Sequence, residues 1–241
     1  MKTLFAWLAH FYTSLGFVCA AGIVVLVVRG DDVSFRMAFG LMMVATAIDA
    51  TDGWLARAAR VHEVLPNFDG SALDNLIDFH TYTSLPLFLL WRAGTLSDGL
   101  AWMLLLPLLA SAYGFSQVNA KTDDGFFLGF PSYWNIVAFY LYVLRTPEWV
   151  SASVIAILSI LTFVPTHYIY ATRGGPFARL INIGAAVWFV MLGVVLRSAP
   201  DLSRKVALVS LIYPLIYLTL SAVVTARRRV RLPPITGDSA R

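Results

Sequence analysis

Apolar residues fill long, nearly unbroken runs of this chain, and polar residues collect in the short stretches between them. A helix that crosses a bilayer needs roughly 20 apolar residues, because only its own backbone hydrogen bonds can satisfy its N–H and C=O groups in hydrocarbon. Eight such stretches can be placed, at 5–28, 35–58, 71–91, 100–118, 131–144, 149–170, 177–196 and 205–226. The fifth is short, with Tyr133 and Trp134 suited to the interface at its start. The pattern predicts an all-α, polytopic integral membrane protein of about eight transmembrane helices. One membrane domain covers 1–231, followed by a disordered cytoplasmic tail over 232–241 that contains Pro233, Pro234 and Gly237.

Composition agrees: 59% of the residues are hydrophobic and 13% charged, with a mean hydropathy of +0.72, values foreign to a soluble chain. If the turn between the second and third helices faces the cytoplasm, eleven basic residues fall on that side and seven on the other, which predicts both termini inside. The net charge of +4 then reads as topology and contact with anionic lipid, and not as a nucleic-acid surface. Cys19, the one cysteine, lies in an apolar run and excludes a disulfide framework or thiolate metal site. The first helix lacks a small-residue cleavage site and is read as retained. No internal repeat points to a transporter built from inverted halves.

Chemistry concentrates where the second and third apolar runs approach their shared polar turn. Asp49, Asp52, Gly53 and Ala56 stand at i, i+3, i+4 and i+7, and Gly70, Asp74 and Asp78 at i, i+4 and i+8, so each set occupies one helix face. A helical hairpin would turn four carboxylates toward one another at membrane depth, where an unpaired charge costs several kcal/mol by rough reckoning. A positive species is required among them, and hard divalent cations are the plainest candidates for all-oxygen ligands.

The stretches 49–57 and 70–78 resemble the signature of the CDP-alcohol phosphotransferases, DxxDGxxAR followed after a spacer by GxxxDxxxD, with every fixed position present. The spacer departs from the common eight residues: here 58–69 supplies twelve. That length resembles the branch whose members condense CDP-diacylglycerol with free choline and release CMP. The resemblance implies a six-helix catalytic core with two helices appended at the C-terminus, in the cytoplasmic (inner) membrane of a bacterium with the active site facing the cytoplasm. It also implies two divalent ions, Mn or Mg, held by Asp49, Asp52, Asp74 and Asp78, with Asp78 doubling as general base. Gly53, Ala56, Arg57 and Gly70 are then the nucleotide-binding positions, and homodimerisation stays open.

A quaternary ammonium donates no N–H hydrogen bond, so choline calls for aromatic faces. Tyr82, one turn beyond Asp78, is the first candidate, with Tyr113, Tyr133 and Trp134 after it, and Phe115, Tyr168 and Tyr170 further off. A segment at 126–131, Phe-Phe-Leu-Gly-Phe-Pro, is similar to a loop of the phosphatidylserine synthases, which makes serine the rival acceptor. Arg173 and Arg179 keep a phosphate-bearing acceptor open, while Gln117, Asn119, Asp123 and Asp124 read as cap and loop residues. His10 and His80 read as helix residues with local partners, His62 as a solvated loop residue, and His167 as lying near the end of the sixth helix. A divalent-cation transporter would also bury four aspartates, but would leave the glycines and Arg57 without a purpose.

Overall fold

The structure, a computed structural model, describes residues 1–118, 122, 126–169 and 178–231. The sequence expectations for Asn119, Asp123, Asp124, Tyr170, Arg173 and the tail lie outside these residues.

Helix α1 (Lys2–Arg29) ends at Gly30, whose φ of 76° is the left-handed conformation that a glycine enters without steric cost. Asp31 then caps α2 (Asp32–Ala58) by accepting from the Ser34 amide at 2.9 Å and the Ser34 hydroxyl at 2.7 Å. The two bonds, the hydroxyl's first, hold the Asp31 carboxyl below the usual carboxylate range. This tight turn folds α2 back along α1. After a single helical turn, α3 (Val61–Val64), the third long segment comprises α4 (Gly70–Asp78), a π-helical turn over Phe79–Ser84 and α5 (Leu85–Arg92). Pro86 accounts for the wide turn: it has no N–H to donate, and its ring would strike the carbonyl four residues back in a regular helix.

A short 3-10 helix (Ala101–Leu104) leads into α6 (Leu105–Ser116), followed by α7 (Trp134–Val143) and α8 (Glu148–Phe163). Helices α9 (Ala178–Arg197), α10 (Pro200–Ser210) and α11 (Ile212–Arg231) complete the described residues. The fold is thus all-α in its mass, and each of the eight predicted segments contains a helix. Among the described residues, Lys2–Arg29, Asp32–Ala58, Arg179–Arg197 and Pro200–Arg227 are long and apolar enough to cross a membrane.

Two expectations are corrected. The sixth helix, expected to reach residue 170, stops at Phe163, because Pro165 pushes Val164 into an extended conformation (φ −86°, ψ 123°). His167 therefore lies on a strand, β2 (His167–Ile169), which pairs antiparallel with β1 (Phe126–Leu128) across the two intervening helices, a pairing the apolar pattern concealed. The eighth segment, expected at 205–226, lies within the continuous span Pro200–Arg227, in which Leu211 marks only the one hydrogen bond lost because Pro214 has no N–H to give Ser210.

Trp134, Phe39, Ile23, Leu87, Leu89, Leu90 and Ile155 are fully buried and knit α1, α2, α5, α7 and α8 into the main core. Outside it, Leu180, Ile183, Val187, Val190 and Val194 form an exposed stripe along α9. Unbroken apolar stripes of this kind belong against lipid.

The 126–131 segment is anchored on the end of α8. Gly129 donates to the Thr166 carbonyl at 2.9 Å, and Phe130 to that of Leu161 at 3.1 Å. With φ at 81°, Gly129 lies so close to the Thr162 carbonyl that a Cβ would overlap it. Gly129→Ala is expected to cost more than the ~1–2 kcal/mol of left-handed strain alone, read as a fall in thermal midpoint. An unchanged midpoint would mean that the segment is not held there.

Candidate functional site

The aspartates belong to α2 and α4, which both lean on α1. The close approach of α1 to α4 depends on two glycines. A Cβ at Gly16 would meet the Ile77 side chain at 2.5 Å, and one at Gly70 would meet the His10 ring at 2.6 Å. His10, 6% exposed, packs its ring 4.5 Å from that of Phe68. Among the described residues its Nε2 has no hydrogen-bond partner. Gly70 thus has a packing reason on its α1 side that the motif alone did not suggest.

Carboxylate oxygens of Asp49, Asp74 and Asp78 lie within 4.8 Å of one another, each residue half-buried. Two unit charges at such a separation repel by about 3 kcal/mol or more at an effective dielectric near 20. Three carboxylates therefore need a cation, or shared protons, to occupy this space, and an all-oxygen donor set suits a hard divalent ion. Asp49 Oδ2 also accepts from the Tyr82 hydroxyl at 2.8 Å. The π-helical turn carries Tyr82, so the local widening of the third segment is what delivers this hydroxyl to α2.

Asp52 lies deeper, 7% exposed, and is not a member of that trio. Its Oδ2 accepts from the Thr13 hydroxyl at 2.8 Å, a contact from α1 that the motif does not announce. Its signal was the pair His10 and Thr13, polar residues three apart in a mostly apolar helix, which marks one face of α1 as turned inward. Thr13→Val, similar in shape but unable to donate, should cost about 1–3 kcal/mol of stability by taking one hydrogen-bond donor from a buried carboxylate. A thermal midpoint equal to wild type would deny Thr13 that role.

Gly53 and Ala56 are partly buried beside the cluster, and Arg57 is exposed at the helix end. The Arg57 guanidinium folds back over Gly53, where a Cβ would meet its Nη1 at 3.3 Å. Of the aromatic candidates, the Tyr82 and Tyr133 rings are neighbours, with centroids 6.4 Å apart. Trp134 does not join them: it is wholly buried, its indole N–H donates to the Ser111 hydroxyl at 3.0 Å, and its ring packs on Phe130. No face of that ring is exposed, so the structure does not bring Trp134 together with Tyr82 and Tyr133. Tyr113 is 44% exposed and packs its ring against Phe163 at 4.8 Å. His62, Arg57 and Arg179 are exposed, and His80 shares a 3.2 Å contact with the Ser84 hydroxyl.

No family model matches the chain. Individual proteins do. A phosphatidylcholine synthase of Legionella bozemanae is 37% identical over 195 residues, which cover 78% of this chain and 90% of the relative. The phosphatidylcholine synthase of Pseudomonas aeruginosa is 33% identical over 196 residues, 81% of each chain. That of Agrobacterium fabrum is 33% identical over 193 residues, 79% of this chain and 78% of the relative. Likeness of this extent reaches well beyond the aspartate motif and takes in most of the helical bundle around it, so the chain belongs to the phosphatidylcholine synthase family, enzymes of the CDP-alcohol phosphotransferase type.

Proposed function

We propose that the protein transfers the phosphatidyl group of CDP-diacylglycerol to choline and releases CMP. The observation that carries this reading is the convergence of Asp49, Asp74 and Asp78 from two membrane helices on one small volume. Divalent cations, Mn or Mg and two in number, would be held by these three carboxylates together with Asp52. When bound they supply positive charge to a diphosphate and to the departing CMP.

The chain's own residues have the following tasks. Asp78 accepts the proton of the choline hydroxyl as its oxygen forms a bond to the lipid-side phosphorus; the bond from that phosphorus to the CMP oxygen breaks, and CMP leaves with the electron pair. Gly53 and Ala56 keep the α2 surface low enough for a nucleotide to approach. Arg57, exposed above Gly53 with five N–H donors, can grip a phosphate in a fork. Tyr82 and Tyr133 supply ring faces for a trimethylammonium group, each worth roughly 0.5–2 kcal/mol according to desolvation. Tyr133→Ala should therefore raise the KM for choline several-fold while kcat stays within about two-fold; a loss confined to kcat would move choline elsewhere.

The basic residues support an orientation in which the aspartates and both termini lie on the cytoplasmic side of a bacterial inner membrane. Purified protein given CDP-diacylglycerol, labelled choline and Mn or Mg should release CMP and labelled phosphatidylcholine in equal amounts. Parallel reactions with serine, glycerol phosphate and inositol phosphate test the acceptor. Turnover of serine in preference to choline would replace the acceptor, and metal uptake into vesicles without CDP-lipid would replace the reaction class.

A further inference from the structure

A trough of about 760 Å³ runs between α2 and α9, a volume in the usual range for ligand pockets. Its α2 wall is formed by Val33, Met37, Gly40, Val44 and Ala47, which recur at four- and three-residue steps and so share one face. Asp49 follows Ala47 by two residues, about 200° round the helix. The trough therefore lies on the side of α2 turned away from the carboxylate cluster, and it is not a part of the site described above.

Two glycines make the space. At Gly40 no atom lies within 4 Å of where a Cβ would stand, and at Gly193 the nearest is the Met43 methyl at 4.0 Å. From Asp32 to Ala47 the trough follows fifteen residues, about 22 Å of helix. One leaflet of the hydrocarbon core is roughly 15 Å deep, so an acyl chain from one leaflet fits lengthwise.

The polar end of the trough has an unbalanced charge. Asp32, its one carboxylate, is 2.9 Å from Arg36 Nε and also accepts from the Tyr142 hydroxyl. Arg36 spends its remaining reach on the Val195 and Ser198 carbonyls, both at 3.3 Å, which ties α2 to the end of α9. Arg197, exposed at the same end, has no ion pair among the described residues. Among the lining residues, a neutral Asp32–Arg36 pair beside Arg197 leaves one net positive charge at the end of an apolar channel. A phosphodiester with a fatty chain has the complementary shape and charge. A zwitterionic headgroup would bring an ammonium, and the only carboxylate in the trough's lining, Asp32, is already paired with Arg36.

We propose that this trough binds one anionic phospholipid, an acyl chain along the α2–α9 walls and the phosphodiester on Arg197. The site opens at the N-terminal end of α2, at the opposite membrane face from Asp49 and Asp52, so its lipid comes from the leaflet that the reaction centre does not face.

Native mass spectrometry of the full chain in detergent, with dioleoylphosphatidylglycerol or dioleoylphosphatidylcholine added in turn, tests this directly. Wild type should retain one phosphatidylglycerol per chain, at least five-fold more strongly than phosphatidylcholine. Gly40→Leu and Gly193→Leu should each lower that retention five-fold or more by filling the trough. Arg197→Gln should lower phosphatidylglycerol retention to the phosphatidylcholine level, with CMP release kept as evidence of an intact fold. Equal retention of the two lipids, or undiminished retention in both Arg197→Gln and whichever glycine variant folds, would overturn the proposal. So would a change from dimer to monomer in Gly40→Leu without loss of lipid, which would make the trough an interface between copies.

Discussion

Asp78→Asn protein, given CDP-diacylglycerol, choline and a divalent cation, should release CMP at no more than about a thousandth of the wild-type rate. A positioned general base contributes typically ~10²–10⁴-fold, and an amide cannot take the hydroxyl proton. Asparagine keeps the size of the side chain and can still accept a hydrogen bond, so α4 should hold its place beside Asp49 and Asp74. Titrating the metal separates the two tasks given to Asp78. If activity returns at high Mn, Asp78 acts as a ligand and another group takes the proton. If it stays absent while Mn binding survives, Asp78 is the base. A variant that keeps more than a tenth of the wild-type rate would remove Asp78 from the reaction altogether.

Removal of divalent ions should be equally severe, and it has a signature in stability as well as in rate. Chelator should take CMP release to background, and Mn or Mg should restore it. Without ions, the repulsion among Asp49, Asp74 and Asp78 acts against the fold. Asp49→Asn should then raise the thermal midpoint of the metal-free protein while reducing the rise that Mn produces in wild type. Mn at a hundred times its Kd should add about 2.7 kcal/mol to the wild-type stability, and distinctly less to the variant. A midpoint lowered by Asp49→Asn in chelator would show that the carboxylates are held by contacts other than a shared ion. A merely structural Asp49 would not produce opposite changes with and without metal.

How much of the site was legible depended on whether the determinant was local. The i, i+3 spacing of Asp49 and Asp52 and the i, i+4 spacing of Asp74 and Asp78 place each pair on one face of any helix, whatever surrounds it. Apolar run length marked the segments as membrane helices before any partner was known. The contacts of those same aspartates were not legible. Tyr82 reaches Asp49 through a π-helical turn that a strict 3.6-residue period does not contain, and Thr13 reaches Asp52 because α1 presents that face to α2. Trp134 and Tyr133 are adjacent in sequence and equally aromatic, yet one is sealed in the core and the other meets Tyr82. Pro165 and Pro214 did carry a readable signal, since the first stands where a helix ends and the second removes one hydrogen bond from a span that continues past it.

By itself, the sequence determined that this is a helical membrane protein with two acidic helix faces, and its likeness to phosphatidylcholine synthases covers most of its length. Tertiary structure decided which oxygens converge, which aromatic ring stands beside them and where the α2–α9 trough opens. The division has a physical cause. Backbone periodicity is set by neighbours a few residues away, whereas the rotation of one helix against another is set by side-chain packing summed over all the helices it touches.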